Sequence, residues 1–244
     1  MEPLPSISIV VPAYNEERRL PATVDSLLAY LGAREWPWEI VIVNDGSKDG
    51  TAAVAARYAA NDDRIRLVEN PGNRGKGYSV RHGVLEATGD WILFTDSDLS
   101  APIEELDKLM AAAGAQSARV AIGSRALDRG LIEVHQSAFR EMAGRIFNLL
   151  MRAATGLPFS DTQCGFKLFE RVAAREIFRR QTIERWGFDA ELLFIARRLG
   201  YKAIEVPVRW SHSEGTKVSM FGDSLNMFLD LLRIRWNQLR GRYR

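Results

Sequence analysis

The sequence contains little cysteine and histidine. It has one cysteine, Cys164, and three histidines among 244 residues. A single cysteine excludes an internal disulfide and any cysteine-based metal cluster, so a reducing cytoplasmic setting is favoured. The histidines share no spacing that would bind a metal, and no Ser/His/Asp set is evident. The functional chemistry is therefore expected from carboxylates, arginines and lysines.

Long apolar runs and a strong net charge are missing as well. No apolar run approaches the roughly 18 residues that span a bilayer. The first five residues lack the basic start and the apolar body of a signal peptide. We therefore expect a chain that neither crosses a membrane nor is exported. The formal net charge of +2 is too small to indicate a nucleic-acid partner, and none is expected.

Strand-like and helix-like segments alternate through the first half of the chain. The predicted strands are rich in Val and Ile and are followed by amphipathic helices, which indicates βαβ units. The fold class is therefore α/β, a Rossmann-like, mostly parallel central sheet flanked by helices, with right-handed crossovers. Strands are predicted at 6–11, 39–43, 65–69 and 91–95, and helices at 18–32, 51–60 and 77–87.

The second half opens on a predicted strand and ends in a basic amphipathic helix. The strand is predicted at 120–123 and is followed by a polar loop at 124–136. We then predict, in chain order, a helix near 137–155, a tight segment at 161–169, helices near 171–179 and 188–199, and strand-like residues at 203–210. No repeat or flexible linker interrupts this order. We predict one domain over residues 1–220 and a C-terminal extension over residues 221–244.

Two carboxylates end the predicted strand at 91–95. Asp96 and Asp98 stand one residue apart, directly after the apolar run. The carboxyl end of a strand is where open α/β sheets bind ligands, and carboxylate oxygens are the ligands that Mg²⁺ or Mn²⁺ prefers. The pattern predicts a metal–diphosphate site. It also suits a turn and helix cap before Pro102, so both interpretations stay open from these residues alone.

Further polar loops are predicted at the same edge of the sheet. Asp45 follows the second strand, where it can accept hydrogen bonds from a base or a ribose, and Tyr14 and Glu16 follow the first. Residues 73–77, Asn-Arg-Gly-Lys-Gly, are typical of either a phosphate loop or a basic turn before a helix. Arg125 follows the strand at 120–123 and can bridge phosphate oxygens.

The order of these motifs resembles that of the inverting glycosyltransferases of family 2. The resemblance rests on residues 11–16, 44–51, 73–77, 96–98 and 123–125, and in the second half on 161–169, 184–193, 205–208 and 215–217. The second-half motifs resemble the dolichyl-phosphate β-glucosyltransferases, and also the related dolichyl-phosphate mannosyltransferases. Together they cover the chain from about residue 7 to about residue 236.

The resemblance implies a GT-A fold, a nucleotide-sugar donor, a divalent cation (Mg²⁺ or Mn²⁺) and a polyprenyl or dolichyl phosphate acceptor. By this resemblance, Asp98 of this chain would bind the metal, Asp96 would bind the metal or the ribose, and Asp45 would contact the base. The implied nucleotide-sugar-binding residues are Pro12, Ala13, Tyr14, Glu16, Asp45, Lys76 and Asp96, and the implied acceptor-phosphate residues are Arg125, Arg140 and Lys217. Pro12 also serves to end the first strand, and Ser100 stands where some of the mannosyltransferases place a metal-binding Gln.

The expected reaction follows from the chemistry of these partners. A phosphate monoester is already anionic near neutral pH, so it can attack an anomeric carbon without a strong general base. The predicted catalytic residues are Asp98, Arg125 and Asp161, the last being the best base if the acceptor is a hydroxyl. The leading donor is UDP-glucose. GDP-mannose, UDP-N-acetylglucosamine and a non-catalytic nucleotide-sugar-binding module are the alternatives.

The basic C-terminal helix is amphipathic. Leu225, Phe228, Leu229, Leu232 and Trp236 recur at helical spacing, with arginines near the other side. Such a helix either packs on its own domain or lies at a membrane interface. We predict an enzyme held peripherally at the cytoplasmic, inner face of the membrane, and weaker liposome binding when the residues after Leu225 are removed. The sequence does not indicate an oligomeric state.

Overall fold

The structure is a computed structural model that describes residues 4–134, 138–212 and 222–244. The strands are β1 Ile7–Ala13, β2 Trp38–Asn44, β3 Ile65–Glu69, β4 Trp91–Thr95, β5 Val120–Ser124, β6 Ile132–Val134, β7 Phe166–Glu170, β8 Ala203–Pro207 and β9 Trp210–Ser211. The helices are α1 Leu20–Gly32, α2 Thr51–Asn61, α3 Lys76–Glu86, α4 Glu105–Gln116, α5 Ala138–Thr155, α6 Arg171–Arg180, α7 Phe188–Arg198 and α8 Gly222–Leu239.

One large sheet organises the described part of the chain. Seven strands pair in the order β3-β2-β1-β4-β7-β5-β8. β7 is antiparallel to both of its neighbours, β4 and β5, and the other pairs are parallel. The chain crosses from β1 to β2 and β3 on one side and later to β4 on the other, so the topological switch lies between β1 and β4. Ligands bind at such a switch in open α/β sheets.

Both faces of this sheet are covered by helices. Successive residues of a strand point to opposite faces. Val10 therefore packs in one core with Val80 and Val84 of α3, while Ile9 packs in the other with Leu27 of α1. Burial on both faces explains why β1 and β2 are continuous Val and Ile runs rather than alternating ones.

Most predicted elements are confirmed, and three features differ. The segment predicted to be tight at 161–169 contains the antiparallel strand β7. The predicted polar loop at 124–136 contains β6, which pairs with β9 in a second, two-stranded parallel sheet. Helix α4 was not predicted. Its buried apolar residues are only Leu106, Leu109 and Ala113, spaced across two turns, which is a weak periodic pattern.

The C-terminal helix joins the core of the α/β domain. Leu231, Ile234 and, beyond the helix, Tyr243 are at most 3% exposed in the same core as α7. Asp230 lies against the start of α7, where a Cβ atom added at Gly187 would come within 2.4 Å of Asp230 Oδ2. The predicted boundary at residues 220 and 221 lies outside the described residues, so the division into 1–220 and 221–244 stays a prediction.

The packing of Asp230 can be tested by measuring how the stability of the folded protein depends on pH. Burial raises the pKa of Asp230 to about 6, against the opposing charge of Arg233. The folded protein therefore binds this proton more tightly than the unfolded chain, and the ionised carboxylate costs stability above pH 6. After allowing for solvent screening of this half-buried group, we expect Asp230→Asn to stabilise by about 1 kcal/mol, or about 2–4 °C in Tm, at pH 8.

This gain is expected to disappear as the pH falls from 6 towards 4, where Asp230 is protonated in the folded protein and a neutral Asn offers no advantage. Thermal unfolding followed by circular dichroism at pH 8, 6 and 4.5 measures the effect. An equal gain in Tm at all three pH values would show that packing, and not the charge, is responsible.

Candidate active site

The loops after β1 and β2 are joined by hydrogen bonds. The backbone N–H of Asn15 donates to Ser47 Oγ over 3.0 Å, and the Lys48 N–H donates to Asn15 Oδ1 over 2.8 Å. The Glu16 N–H donates to Thr51 Oγ1 over 2.7 Å. Of the predicted residues, Tyr14 and Glu16 lie on this first loop. Pro12 and Ala13 are the last two residues of β1, paired with Val43 and Asn44 of β2, so Pro12 does not end the strand as predicted. These bonds fix one wall of the crevice at the switch point.

The carboxylate of Glu16 lies inside this wall. It is 6% exposed and forms a two-pronged ion pair with Arg19, with distances of 2.6 and 2.8 Å from the guanidinium nitrogens. The two residues lie three positions apart, in the turn just before α1 begins at Leu20. Glu16 therefore holds Arg19 near the crevice, and its contact with a nucleotide sugar stays a prediction.

Asp45 fastens the glycine-rich loop to the same wall. Its Oδ1 accepts hydrogen bonds from Asn70 Nδ2 and the Arg74 N–H, each over 2.8 Å. Its Oδ2 accepts from Asn73 Nδ2 over 3.0 Å and from the Gly75 N–H over 2.8 Å. Four donors match the roughly four lone-pair positions of a carboxylate. The structure thus shows Asp45 shaping residues 73–77, and its contact with a base stays a prediction.

Lys76 connects this loop to the Asp-x-Asp motif. It is the first residue of α3, and its Nζ lies 2.5 Å from Asp96 Oδ1. Burial, the largest single effect, lowers the pKa of Lys76, but the charges of Asp96, Asp189 and Asp98 and the bond to Asp96 together outweigh it, so the net shift is upward. The Lys76 ammonium also lies 5.7 Å from the centre of the Trp186 ring. The two predicted donor-site residues, Lys76 and Asp96, are therefore in direct contact.

A glycine allows Asp96 to take this position. A Cβ atom added at Gly165 would lie 2.1 Å from Asp96 Oδ2, which is far inside any real contact. Gly165 belongs to the segment that precedes the antiparallel strand β7, the neighbour of β4 in the sheet. The sequence therefore requires glycine at 165 because the Asp96 carboxylate lies against this backbone.

Asp98 lies at the mouth of the crevice. Its Oδ1 accepts a hydrogen bond from the Ser100 N–H over 3.0 Å, across Leu99, whose φ is 45°. It lines a cavity of about 260 Å³ together with residues of α1 and the loop before it, including Arg19. The charge of Asp98 contributes to the raised pKa of Arg19, after the larger effect of Glu16.

The two carboxylates fit a divalent cation that shares its ligands with a substrate. Among the described residues no cluster of three or more His, Cys, Asp or Glu residues could hold a metal by itself. Mg²⁺ at phosphate-transfer sites is commonly bound by one or two carboxylates, substrate phosphates and water. Asp96 already holds a cationic group, the Lys76 ammonium. The donor set of Asp96 and Asp98 is therefore suited to a metal–diphosphate complex.

Arg125 and Asp161 form a partly buried ion pair, with the guanidinium side chain 27% exposed and the carboxylate side chain 9%. The Asp161 carboxylate accepts from Arg125 Nε over 2.6 Å, from Nη2 over 2.9 Å and from the Arg125 backbone N–H over 3.1 Å. Burial alone would raise the pKa of Asp161, but the charge of Arg125 lowers it to about 2. The guanidinium also lies 5.4 Å from the centre of the Trp210 ring. Asp161 is therefore a carboxylate at neutral pH that orients Arg125.

Glu205 holds this pair in place from β8. Its carboxylate accepts from the backbone N–H groups of Ser160 and Asp161 over 2.9 and 2.7 Å, and from Ser124 Oγ over 2.6 Å. It thereby ties the end of β5 to the segment that carries Asp161. Glu205 was not predicted as a site residue. The signal for it is a carboxylate between apolar residues in a strand, where an unpaired charge would be costly.

A second buried ion pair lies behind Lys76 and Asp96. Lys167 of β7 is fully buried, and its Nζ lies 2.5 Å from Asp189 Oδ1 at the start of α7. Burial raises the pKa of Asp189 in spite of Lys167. The charge of Asp189 also contributes to the raised pKa of Lys76. Sequence reasoning did not assign this pair a role, although a lysine inside the apolar strand β7 is its signal.

Arg125, one of the three predicted acceptor-phosphate residues, lies with the rest of the site in the structure. Arg125 lies beside Asp161, as described above. Arg140 belongs to the first turn of α5, and Lys217 lies outside the described residues. The roles of Arg140 and Lys217 therefore stay predictions.

Comparison with known proteins identifies the family. The model of glycosyl transferase family 2 matches residues 8–178. A dolichyl-phosphate beta-glucosyltransferase from Trichomonas vaginalis is 40% identical over 240 residues, covering 93% of this chain and 72% of that protein. The proteins of the same name from Drosophila melanogaster and Homo sapiens are 39% and 38% identical, covering 100% and 99% of this chain and 79% and 78% of their own lengths.

Solved structures show the same fold at lower sequence identity. Glucosyl-3-phosphoglycerate synthase from Mycobacterium tuberculosis, in complex with uridine diphosphate, superposes with a TM-score of 0.66 at 20% identity, covering 94% of this chain and 80% of that one. Mannosyl-3-phosphoglycerate synthase from Rubrobacter xylanophilus has a TM-score of 0.68 at 18% identity, covering 98% and 75%. The chain belongs to glycosyltransferase family 2, and it is a glycosyltransferase with the GT-A fold.

Proposed function

We propose that this enzyme transfers glucose from UDP-glucose to a dolichyl or other polyprenyl phosphate, with inversion, to give a β-linked lipid phosphosugar. The observation that carries the proposal is the contact of Lys76 with Asp96 beside Asp98, at the switch point of the sheet. Two carboxylates and an ammonium at the switch point, where open α/β sheets bind ligands, support a metal–diphosphate complex there. The names of the relatives supply the sugar and the lipid acceptor.

The donor would lie along the crevice between the β1 and β4 loops. Asp96 and Asp98 would hold the divalent cation, which supplies positive charge for the departing diphosphate. A solved relative of this fold contains Mn²⁺ and uridine diphosphate, which supports this assignment. Lys76, at the first residue of α3, would neutralise the diphosphate together with the N-terminus of that helix. Tyr14, Glu16 and Asp45 remain the proposed contacts of the nucleoside, with Pro12 and Ala13 behind them.

The acceptor phosphate would meet Arg125. A guanidinium held by a carboxylate presents fixed N–H donors, and such preorganised charge is the main means by which enzymes stabilise developing charge. Asp161, with its pKa of about 2, is a weak base and orients Arg125. This suits a phosphate acceptor, which needs no proton removed before it attacks. Attack opposite the leaving diphosphate inverts the anomeric centre of an α-linked donor.

A donor panel tests the proposal. The protein would be incubated with radiolabelled UDP-glucose, UDP-N-acetylglucosamine or GDP-mannose, a short polyprenyl phosphate and Mn²⁺. We expect a lipid-extractable product from UDP-glucose, and its loss on adding EDTA. A product from GDP-mannose alone would assign the mannosyltransferase alternative. No lipid-extractable product from any donor would contradict the transfer and leave the nucleotide-sugar-binding module.

We also propose that the enzyme meets its acceptor at the cytoplasmic face of a membrane, through one apolar face. Helices α5 and α8 contact each other, and both expose large apolar side chains. These are Met142, Ile146, Leu149 and Leu150 on α5 and Phe228, Leu229, Leu232, Trp236 and Leu239 on α8, each between 41% and 81% exposed. The Arg240 guanidinium lies 4.7 Å from the Trp236 ring centre. Cationic and aromatic groups beside an apolar face suit anionic head groups.

The structure sharpens the test of this surface. Removing the residues after Leu225 would also remove the buried Leu231 and Ile234, so a truncated chain would lose part of its core. Within the described residues no helix is both long and apolar enough to span a bilayer. Substitution of exposed side chains alone therefore separates membrane contact from folding.

We expect the triple variant Leu229→Gln, Leu232→Gln, Trp236→Gln to bind anionic liposomes on the order of 10²-fold more weakly, because three half-exposed apolar side chains no longer enter the interface. Liposome co-sedimentation measures the loss. Val172→Gln on α6, an apolar residue that is 59% exposed, is the matched control and should bind as the wild type does. Unchanged binding by the triple variant would remove this surface from the proposal.

A further inference from the structure

We propose that Lys76 takes the place of the divalent cation on Asp96 when no donor is bound, and that the cation and the donor diphosphate displace it together. Asp96 then turns from Lys76 to the cation, and Lys76 turns from Asp96 to the diphosphate. The inference rests on the proposed function, since it assumes a metal–diphosphate complex at this site. It adds an exchange of partners that couples the two ligands.

Each oxygen of the Asp96 carboxylate has a close neighbour in the protein. Its Oδ1 lies 2.5 Å from Lys76 Nζ, and its Oδ2 lies against the backbone at Gly165, where a Cβ atom would come within 2.1 Å. A divalent cation that binds Asp96 must therefore share its oxygens with the ammonium or displace it. Since like charges at contact distance repel strongly in a partly buried site, displacement is favoured. The Lys76 side chain is 16% exposed and the Asp96 side chain 35%, so water screens this repulsion only in part.

The charges of two other carboxylates, Asp98 and Asp189, also act on Lys76. Asp98 would itself hold the cation, and Asp189 already has a partner. Asp189 lies 2.5 Å from Lys167, which is fully buried and cannot be solvated elsewhere. A displaced Lys76 therefore gains little from Asp189. Its remaining contact is the face of Trp186, 5.7 Å away, which favours a cation less than a carboxylate does. In the absence of donor, a cation that displaces Lys76 therefore leaves it, among the described residues, with no nearby carboxylate that is not already engaged.

The diphosphate supplies that partner. Lys76 is the first residue of α3 and follows Gly75, whose φ is 105°, so the helix N-terminus and the lysine present positive charge together. A lysine side chain is long and flexible, and it can move between two anions without a change in the backbone. The donor therefore lowers the cost of cation binding, and by linkage the cation lowers the cost of donor binding by the same factor.

Mn²⁺ binding with and without UDP tests the exchange. Isothermal titration calorimetry would compare the wild type, Lys76→Met and the control Lys202→Met, an exposed lysine just before β8, at the opposite end of the strands from the site loops. For the wild type we expect UDP to tighten Mn²⁺ binding at least tenfold. Lys76→Met should bind Mn²⁺ alone roughly tenfold more tightly than the wild type, because no ammonium competes, while its affinity for UDP falls and the effect of UDP on Mn²⁺ shrinks. Lys202→Met should match the wild type.

Two further variants guard against a folding defect. Lys76→Gln should repeat the tighter Mn²⁺ binding, and Lys76→Arg, which keeps the charge, should bind Mn²⁺ alone as weakly as the wild type. Circular dichroism checks the fold of each. Equal or weaker binding of Mn²⁺ alone by Lys76→Met and Lys76→Gln would overturn the exchange and leave the metal site standing. No Mn²⁺ binding by any variant, with or without UDP, would overturn the proposed metal site and the exchange with it.

Discussion

Asp98→Asn is expected to lower kcat/KM for glucosyl transfer by about 10³-fold, a loss of about 4 kcal/mol of transition-state stabilisation. The substitution removes one negative charge from the proposed cation site and changes little else. An amide oxygen can still accept the hydrogen bond from the Ser100 N–H, which is 3.0 Å long. The turn at Leu99 should therefore persist, and the defect should fall on turnover and on Mn²⁺ dependence.

Initial rates of lipid-product formation over a range of Mn²⁺ concentrations measure this effect. Asp63→Asn, an exposed carboxylate before β3, is the matched control for loss of one charge and should retain full activity. A decrease of less than tenfold at every Mn²⁺ concentration, limiting as well as saturating, would contradict a role for Asp98 in holding the cation. Recovery at high Mn²⁺ would instead indicate that Asp98 contributes affinity alone.

The position of Asp98 was predictable because its causes are local. The run 91–95 is apolar and ends abruptly at Asp96, and the structure places β4 at the same residues. The same holds for β3, predicted and observed at 65–69. Alternation of strand-like and helix-like segments also predicts a parallel sheet, whose carboxyl ends share one edge. A local pattern was therefore enough to bring the loops after β1, β2 and β4 together.

The partners of the site residues were not predictable in this way. Asp45 binds residues 25 to 30 positions further along the chain, and Asp161 binds Arg125, 36 positions away. The Asp45 contacts depend on β3 lying beside β2. The contact of Asp161 with Arg125 depends on how β7 inserts between β4 and β5, and nothing in a single sequence specifies an antiparallel strand there. Lys167 faces Asp189 for the same reason. The sequence shows which acidic and basic residues are available for the site. Which of them pair with each other can be known only from the order and direction of the strands.

Arg125→Met is expected to destabilise the fold by about 3–5 kcal/mol, because it leaves the Asp161 carboxylate buried without its cation. Asp161 is 8% exposed, and its backbone is held by Glu205, a second carboxylate, so it cannot move out to solvent without breaking those bonds. For a chain of this length the loss corresponds to a decrease in Tm of roughly 6–20 °C. Thermal unfolding at pH 7 measures it, and turnover should be lost at the same time.

The double variant Arg125→Met, Asp161→Asn separates the two roles of the pair. The substituted amide is neutral, and its oxygen can keep the bond from the Gln163 N–H, which Asp161 Oδ1 accepts over 3.0 Å. With no unpaired charge left, we expect the double variant to regain more than half of the lost stability and to remain inactive. If it stayed as unstable as Arg125→Met, the lost packing of Arg125 would be the cause. If it regained activity, Arg125 would not be needed to bind the acceptor phosphate, and another cationic group would have to do so in the proposed mechanism.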